Sequence, residues 1–357
     1  MRLKGLKNSD DAFKELKIDN SMHLNFTCQE PTKSCFMNEC SACSDSKRVK
    51  NLQQLVRCCS NEVEWSQWIK CSKNVSTEVD HVKTYCNIEK VKKKGSIDDI
   101  LHALYEDVPN FLDHQFIKMN QAETASKMIA DSMKDDASCA VLLCDFAEKF
   151  QCFQQNAPQS AHYGQTPVSL FTAAVYHRYS IPIVIASDYE KHTKDSVIAY
   201  IDSILETLPD TVKNLNIWTD NATSQFKNQY IMAALKVFEE RWDIKIRWNF
   251  YAPMHGKSIV DGHGGSVKRF VRARILADSN LLVKNAEDFA NTAATMKIQV
   301  KLMRQSQIED RNADIGLIEI VKNARKIPNI KQHHSFSVQE LQVGRKRTFK
   351  VVGTKIS

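Results

Sequence analysis

The feature that most constrains the fold is a series of periodic segments that begins just after Asp136. Three short runs rich in apolar and β-branched residues predict strands. Beyond them, helix-like and strand-like segments alternate, and the helix-like ones carry apolar residues at helical spacing. The predicted segments are Cys139–Asp145, Val168–Tyr176, Ile181–Ala186, Lys194–Leu208, Leu215–Trp218, Gln229–Trp242, Ile244–Tyr251 and Ser266–Ala277.

The succession β-β-β-α-β-α-β-α predicts an α/β fold with a mixed sheet and helices on both faces. This order resembles that of the ribonuclease H-like fold, which we expect for residues 138–310. Residues 1–60 are rich in cysteine, and residues 311–357 form a basic tail. Apolar residues at helical spacing predict a mainly helical region at 61–137. The chain has 357 residues, which is enough for one large domain or two smaller ones.

Aspartates stand at strand ends that such a fold brings together. Asp145 lies in or at the end of the first strand and Asp220 ends the fourth, and in the ribonuclease H-like fold these two strands are neighbours. Asp261 is the candidate third acid. Three such carboxylates can hold two Mg²⁺ or Mn²⁺ ions, which act on a phosphodiester by activating water or a 3′-hydroxyl. One aspartate at a strand end is an ordinary turn residue, so the prediction needs all three.

The glycines around the third acid predict its local structure. Gly262, Gly264 and Gly265 follow Asp261 closely. Because glycine inside a helix costs about 1 kcal/mol relative to alanine, these residues favour a loop at Asp261. We therefore expect the last helix to begin only at Ser266.

Polar and basic side chains near the acids are candidates for substrate contact. His255 can contact the scissile phosphate or orient a metal-bound water, or it can simply cap a turn. Basic and amide groups can hold a phosphate backbone without reading bases, although each can also be ordinary solvated surface. The candidates are Gln225, Lys227, Lys257, Lys268, Arg269 and Arg272.

Several short motifs between residues 145 and 269 carry a family resemblance. They are Asp145-Phe146-Ala147-Glu148, Gln159-Ser160-Ala161-His162, Ser187-Asp188, Trp218-Thr219-Asp220, Ser224-Gln225-Phe226-Lys227-Asn228, His255-Gly256-Lys257, Val260-Asp261-Gly262 and Val267-Lys268-Arg269. Through them the chain resembles transposon-derived proteins of insects and other invertebrates, which also occur in viruses of parasitoid wasps. The core of that family resembles a DDE/D transposase or integrase.

The resemblance implies metal-dependent cleavage or strand transfer of DNA by Asp145, Asp220, Asp261 and His255. It also implies a nuclear protein with DNA as its partner and, because strand transfer uses paired active sites, a homo-oligomer. The alternative is an inactive, domesticated protein that keeps the fold and binds nucleic acid. Cleavage of RNA in an RNA–DNA hybrid is a third reading of the same residues.

Four cysteines lie close together near the N-terminus with the spacing Cys28-x6-Cys35-x4-Cys40-x2-Cys43. The final Cys-x2-Cys pair has the spacing that binds Zn²⁺ tetrahedrally, whereas the first two spacings are irregular. Free thiols are the alternative. The family resemblance favours a structural zinc ion, since related chains show a similar cysteine grouping.

Positive charge is concentrated at the C-terminal end. Residues 322–357 contain nine Lys or Arg and one acid, whereas the whole chain has a net charge of +7. A basic segment of this kind suits an anionic partner such as nucleic acid, and a solvated C-terminus is the alternative. The N-terminus lacks the apolar core of a signal peptide, and no apolar run is long enough to span a membrane. We therefore expect a soluble nuclear or cytoplasmic protein without a membrane partner.

Overall fold

A computed structural model of the chain describes residues 2–3, 22–43, 63–76, 82–158, 166–252, 259–343 and 346–355. The chain forms two compact units, Met1–Ile117 and Lys118–Ser357. The mixed α/β character expected from the sequence is present, and its large sheet lies in the second unit.

The first unit contains a small antiparallel sheet and helical segments. Its strands are β1 (Arg2–Leu3), β2 (Val63–Ser76) and β3 (Val82–Gly95), with β2 in the centre. A short helix, α1 (Lys33–Phe36), precedes the hairpin, and the long helix α2 (Ile97–Ser132) follows it and continues into the second unit. Ser96 caps the start of α2, because its Oγ accepts from the backbone N–H of Asp99 at 3.1 Å. In return, the backbone N–H of Ser96 donates to the Asp99 carboxylate at 2.8 Å.

The helix expected across residues 61–137 is present only from Ile97, and the prediction was wrong for the residues before it. Residues 63–95 form the β2–β3 hairpin instead. Side chains of β2 alternate between the two faces, so that Trp65 is buried while Trp68 is exposed. This alternation with a period of two residues is typical of a strand rather than a helix.

The second unit is built on an eight-stranded mixed sheet with the order β11-β10-β8-β7-β4-β5-β6-β9. Strands β4, β7 and β8 are parallel to one another, β6 is parallel to β9, and the other neighbours are antiparallel. The strands are β4 (Cys139–Phe150), β5 (Val168–His177), β6 (Tyr179–Ser187), β7 (Asn214–Thr219), β8 (Lys245–Phe250), β9 (Gln299–Leu302), β10 (Ser335–Val343) and β11 (Lys346–Thr354).

Helices cover both faces of this sheet. Helices α3 (Lys194–Leu205) and α4 (Gln229–Trp242) pack on one face around Leu142 and Phe171. Helices α5 (Ile259–Ala277) and α6 (Ala286–Ala293) pack on the other around Leu170 and Phe289. The predicted succession of eight elements is present between Cys139 and Ala277. None of the described helices has the length and apolarity that a membrane span requires. Further along the chain come helices α7 (Gln305–Ile315) and α8 (Leu317–Asn323).

The basic segment 311–357 is not a separate tail, as the sequence suggested. It supplies α8 and the strands β10 and β11, and β10 pairs with β8 of the main sheet. Phe336 of β10 is buried directly opposite Trp248 of β8, which is buried as well. The prediction was wrong because it rested only on the charged residues of this segment. The apolar residues between them pack into the core of the second unit.

Candidate functional site

Asp145 of β4 and Asp220, the residue directly after β7, occupy corresponding positions on two neighbouring parallel segments. Strands β4 and β7 pair in a constant register, which ends with Leu143 opposite Trp218. Asp145 lies two residues after Leu143, and Asp220 lies two residues after Trp218. The expectation that strand order brings these two acids together therefore agrees with the sheet.

Backbone N–H groups hold one oxygen of each carboxylate. The N–H of Phe146 donates to Asp145 Oδ1 at 2.7 Å. The N–H of Ala222 donates to Asp220 Oδ1 at 3.0 Å, which is the local turn that an aspartate at the end of a strand commonly makes. Both carboxylates are therefore fixed in orientation by the chain that carries them.

Helix α5 brings the third acid to the same face of the sheet. The helix begins at Ile259, so Asp261 is in its first turn, and the loop expected at this position was wrong. Gly264, one turn later, lies so close to the sheet that a Cβ atom there would be 2.8 Å from Ala147 Cβ and 3.1 Å from Thr172 Cγ2. Thr172 pairs with Asp145, and opposite residues share a face of the sheet.

The three carboxylates are close enough to interact electrostatically. Burial raises the pKa of Asp145 to about 7, and the negative charges of Asp220 and Asp261 contribute to the rise. Burial also raises the pKa of Asp220. No positive charge among the described residues offsets this effect at either group. Asp145 therefore takes up a proton near neutral pH, and a bound cation would compete with that proton.

We predict that the metal-free protein loses stability between about pH 4 and pH 7 because of Asp145. An unfolded aspartate has a pKa of about 3.9, so within this interval the folded state binds more protons than the unfolded state. Raising the pH through the interval therefore removes stability. Urea unfolding midpoints of the wild type and Asp145→Asn, measured from pH 4.5 to 8, should diverge, with the variant more stable at the upper end.

The matched control for this titration is Asp135→Asn, which removes an exposed carboxylate outside the site. Its unfolding midpoint should follow that of the wild type at each pH. Parallel curves for the wild type and Asp145→Asn would contradict the assignment of a raised pKa to Asp145.

Two of the predicted contact residues, His255 and Lys257, lie outside the described residues, and their roles stay predictions. Gln225 is half-buried in the turn between β7 and α4, where its backbone N–H donates to the carbonyl oxygen of Ala222 at 3.3 Å.

Lys227 was predicted to contact nucleic acid, and its position contradicts this. Only 1% of the residue is exposed. Its ammonium group donates to the carbonyl oxygen of Lys331 at 3.1 Å and lies 5.1 Å from the centre of the Phe250 ring. Burial lowers the pKa of Lys227 to about 8. The Lys227 side chain therefore links the turn before α4 to the C-terminal segment, which is distant in sequence.

The remaining basic candidates lie along α5. Lys268 is half-buried, and its ammonium group donates to the carbonyl oxygen of Glu148 at 3.1 Å. Arg269 and Arg272 are exposed, and the Arg272 guanidinium lies 5.2 Å from the centre of the Phe153 ring. Asp261 and Lys268 are seven residues apart and so lie on the same side of the helix. Contact with nucleic acid stays a prediction for these three residues.

The four cysteines form a compact cluster in the first unit. The Sγ atoms of Cys28, Cys35, Cys40 and Cys43 all lie within 4.8 Å of one another, and those of Cys28 and Cys40 are 3.9 Å apart. Tetrahedral zinc with Zn–S bonds of about 2.3 Å places its sulfur atoms about 3.8 Å apart. The cluster can therefore hold a structural metal ion such as zinc, as the cysteine spacing suggested.

Protons are unevenly shared within the cysteine cluster. Burial favours the neutral thiol of Cys35, but hydrogen bonds with the side chain and backbone of Thr32 outweigh it, and the pKa of Cys35 falls to about 6. Hydrogen bonding with Cys35, followed by burial, raises the pKa of Cys28 to about 12. The pKa of Cys40 is lowered by hydrogen bonds with Cys43 and Ala42, whereas burial raises the pKa of Cys43. A bound metal ion would displace the protons that Cys28 and Cys43 retain, because it binds thiolates.

An apolar cluster packs the cysteine segment onto the beginning of α2. Phe26 and Phe36, which flank Cys28 and Cys35, are buried against Val108 and Leu112 of the helix. The Phe36 and Phe116 rings are 5.6 Å apart between centroids. The cysteine segment is thereby anchored to the part of α2 that belongs to the first unit.

Gly264 is the positioning residue that sequence reasoning missed. A signal for it was present, because Val260, Gly264, Val267 and Val271 recur at intervals of four, three and four residues and are all buried. Such spacing marks one face of a helix. Here glycine serves as the small member of a packed face rather than as a helix breaker.

Comparison with known proteins assigns most of the second unit to a protein family. No curated protein has significant sequence similarity to the chain. Residues 121–348, more than half of the chain, match a protein family described as "Domain of unknown function (DUF8701)". The matched span contains Asp145, Asp220 and Asp261, and it starts after the cysteine cluster. The chain belongs to the DUF8701 family.

Proposed function

We propose that the second unit contains a ribonuclease H-like core that cleaves or transfers phosphodiester bonds with divalent metal ions. The observation that carries this proposal is the group of three interacting aspartates, in which the pKa of Asp145 is raised to about 7. Closely spaced carboxylates without a compensating cation are the usual environment of Mg²⁺ or Mn²⁺. The sheet order β6-β5-β4-β7-β8 supports the proposal, because the first and fourth predicted strands are neighbours.

In this proposal Asp145, Asp220 and Asp261 would hold the metal ions. Such ions activate a water or a 3′-hydroxyl and stabilise the leaving oxygen. Lys268 and Arg272, on the helix that carries Asp261, would hold the phosphate backbone. DNA is the proposed substrate, and a nuclear location and a homo-oligomer belong to the same proposal.

The second candidate is an inactive protein that keeps the fold and binds nucleic acid. One observation favours it. Among the residues the structure describes, the group whose metal-ligand atoms all lie within 4.8 Å consists of the four cysteines, and the three aspartates do not form such a group. Their carboxylates stand further apart than the ligands of a single closed metal site.

Binding of Mn²⁺ distinguishes the two candidates. Calorimetric titration of the full chain should detect Mn²⁺ binding that Asp220→Asn removes and the exposed control Asp135→Asn leaves unchanged. Duplex DNA, single-stranded DNA and an RNA–DNA hybrid should then be incubated with each variant and either Mg²⁺ or Mn²⁺. The enzyme proposal expects metal-dependent cleavage that is absent in Asp220→Asn. Nucleic-acid binding that needs no metal, together with equal Mn²⁺ titrations of the wild type and Asp220→Asn, would establish the inactive candidate instead.

A further inference from the structure

One face of the β2–β3 hairpin in the first unit is exposed and carries mostly lysine. Alternate residues of each strand share this face, and the antiparallel register places them opposite one another. Ser66 is half-buried, and the others are exposed. The lysine face consists of four opposed pairs, Glu64–Lys94, Ser66–Lys92, Trp68–Lys90 and Lys70–Ile88.

The charge of the lysine face suits a polyanion with a regular repeat. Four lysines and one glutamate among these residues leave a net charge of +3. Lys90, Lys92 and Lys94 occupy alternate positions of β3, so successive lysines are about 6.8 Å apart along the strand. A phosphate backbone is a regular row of negative charges, so a row of lysines at constant spacing suits it.

Trp68 lies in the middle of the lysine face and is unusually exposed. It is 64% exposed, whereas Trp65 on the other face of the same strand is 6% exposed. Ile88, also 64% exposed, is on the neighbouring strand close to Trp68. A flat aromatic group set among lysines is the arrangement that binds single-stranded nucleic acid, because bases stack on the ring while cations hold the phosphates.

We propose that the lysine face binds single-stranded nucleic acid, with a base stacked on Trp68 and phosphates held by Lys70, Lys90 and Lys92. Trp68 favours a single strand over a duplex, in which the bases are already stacked on one another. The proposal requires neither a metal ion nor the aspartates of the second unit. It therefore stands or fails separately from the proposed nuclease function.

The test is fluorescence anisotropy of the full chain with a labelled single strand of about 20 nucleotides, longer than typical sites of ~4–16 nucleotides. Buffers contain no divalent metal, and the salt concentration is varied. Trp68→Ala should weaken binding roughly 5- to 100-fold, and Trp68→Phe, which keeps an aromatic ring, should restore most of it. Lys90→Ala/Lys92→Ala should lower the slope of log affinity against log salt by about 1.4.

The matched control is Lys213→Ala/Lys284→Ala, which removes two exposed positive charges from the second unit. It should keep the wild-type affinity at moderate salt and the wild-type slope. Far-ultraviolet circular dichroism checks that each variant is folded. Equal losses in both double variants would overturn the proposal, as would unchanged binding by Trp68→Ala or tighter binding of the matching duplex. Absence of binding to any nucleic acid, with an acidic protein surface bound instead, would also overturn it. Asp220→Asn should bind the single strand like the wild type, so a failure of the nuclease proposal is recognised separately.

Discussion

Replacement of Cys40 by serine is expected to abolish zinc binding and to unfold the cysteine segment. The wild type should contain one zinc ion per chain, held by the four sulfur atoms that lie within 4.8 Å of one another. Structural zinc contributes about 10–16 kcal/mol of apparent binding free energy in zinc-finger peptides, and three thiolates without the fourth hold it far more weakly. Once the ion is lost, the cross-link among the four cysteines that helps to hold Phe26 and Phe36 against α2 is lost as well.

Elemental analysis and thiol titration measure this effect. Cys40→Ser should contain almost no zinc, and the remaining cluster thiols should react rapidly with a thiol reagent, as they should in the wild type after chelation. Cys71→Ser is the matched control, because Cys71 lies on β2 of the same unit and outside the cluster. A zinc-free wild type with reactive thiols, or equal zinc loss in Cys71→Ser, would show that the cluster is a group of free cysteines.

Alanine at Gly264 is expected to destabilise the protein and to disturb the aspartate site, whereas alanine at Gly262 should stabilise it. Both glycines are inside α5, where alanine is intrinsically favoured by about 1 kcal/mol. A Cβ at Gly262 meets nothing within 4 Å, but one at Gly264 would be 2.8 Å from Ala147 Cβ. Relief of that contact must move the helix away from the sheet, at a cost of about 1–3 kcal/mol.

The same movement shifts Asp261 relative to Asp145, because Asp261 is one turn before Gly264 on the same helix. Mn²⁺ binding should therefore weaken in Gly264→Ala and stay at the wild-type level in Gly262→Ala. Urea unfolding and calorimetry measure the two effects. The double variant Gly264→Ala/Ala147→Gly removes the closest contact and should recover part of both losses. If both single alanine variants are equally stabilised, the helix does not depend on a close approach at Gly264.

The order of elements between residues 139 and 277 could be predicted from the sequence because each element has a local pattern. Strands such as Val168–His177 are predominantly apolar runs, and α3 shows apolar residues at helical spacing. The positions of Asp145 and Asp220 follow from the same patterns, since both stand at or near the end of a predicted strand. The spacing of the cysteines likewise indicated a group of metal ligands.

Other features were mispredicted because the local signal was weak or pointed in two directions. The β2–β3 hairpin has alternating burial, but its polar and charged residues obscure the hydrophobic period. The C-terminal segment was predicted to be a tail because it carries many charges. In the structure Phe336 is buried opposite Trp248, and this packing holds the segment in the main sheet. In both cases, contact with other parts of the chain gives a residue its role.

The sequence by itself determined the order of strands and helices between residues 139 and 277, and which thiols and carboxylates are available as ligands. Periodicity and spacing are local properties, so they can be read from the sequence without knowing which residues are neighbours in space. Only the tertiary structure decided that Gly264 packs as a helical residue, that Lys227 is buried and that Trp68 is exposed. Burial and electrostatic coupling are set by groups that meet through strand pairing and helix packing, often more than a hundred residues apart, as with Lys227 and Lys331.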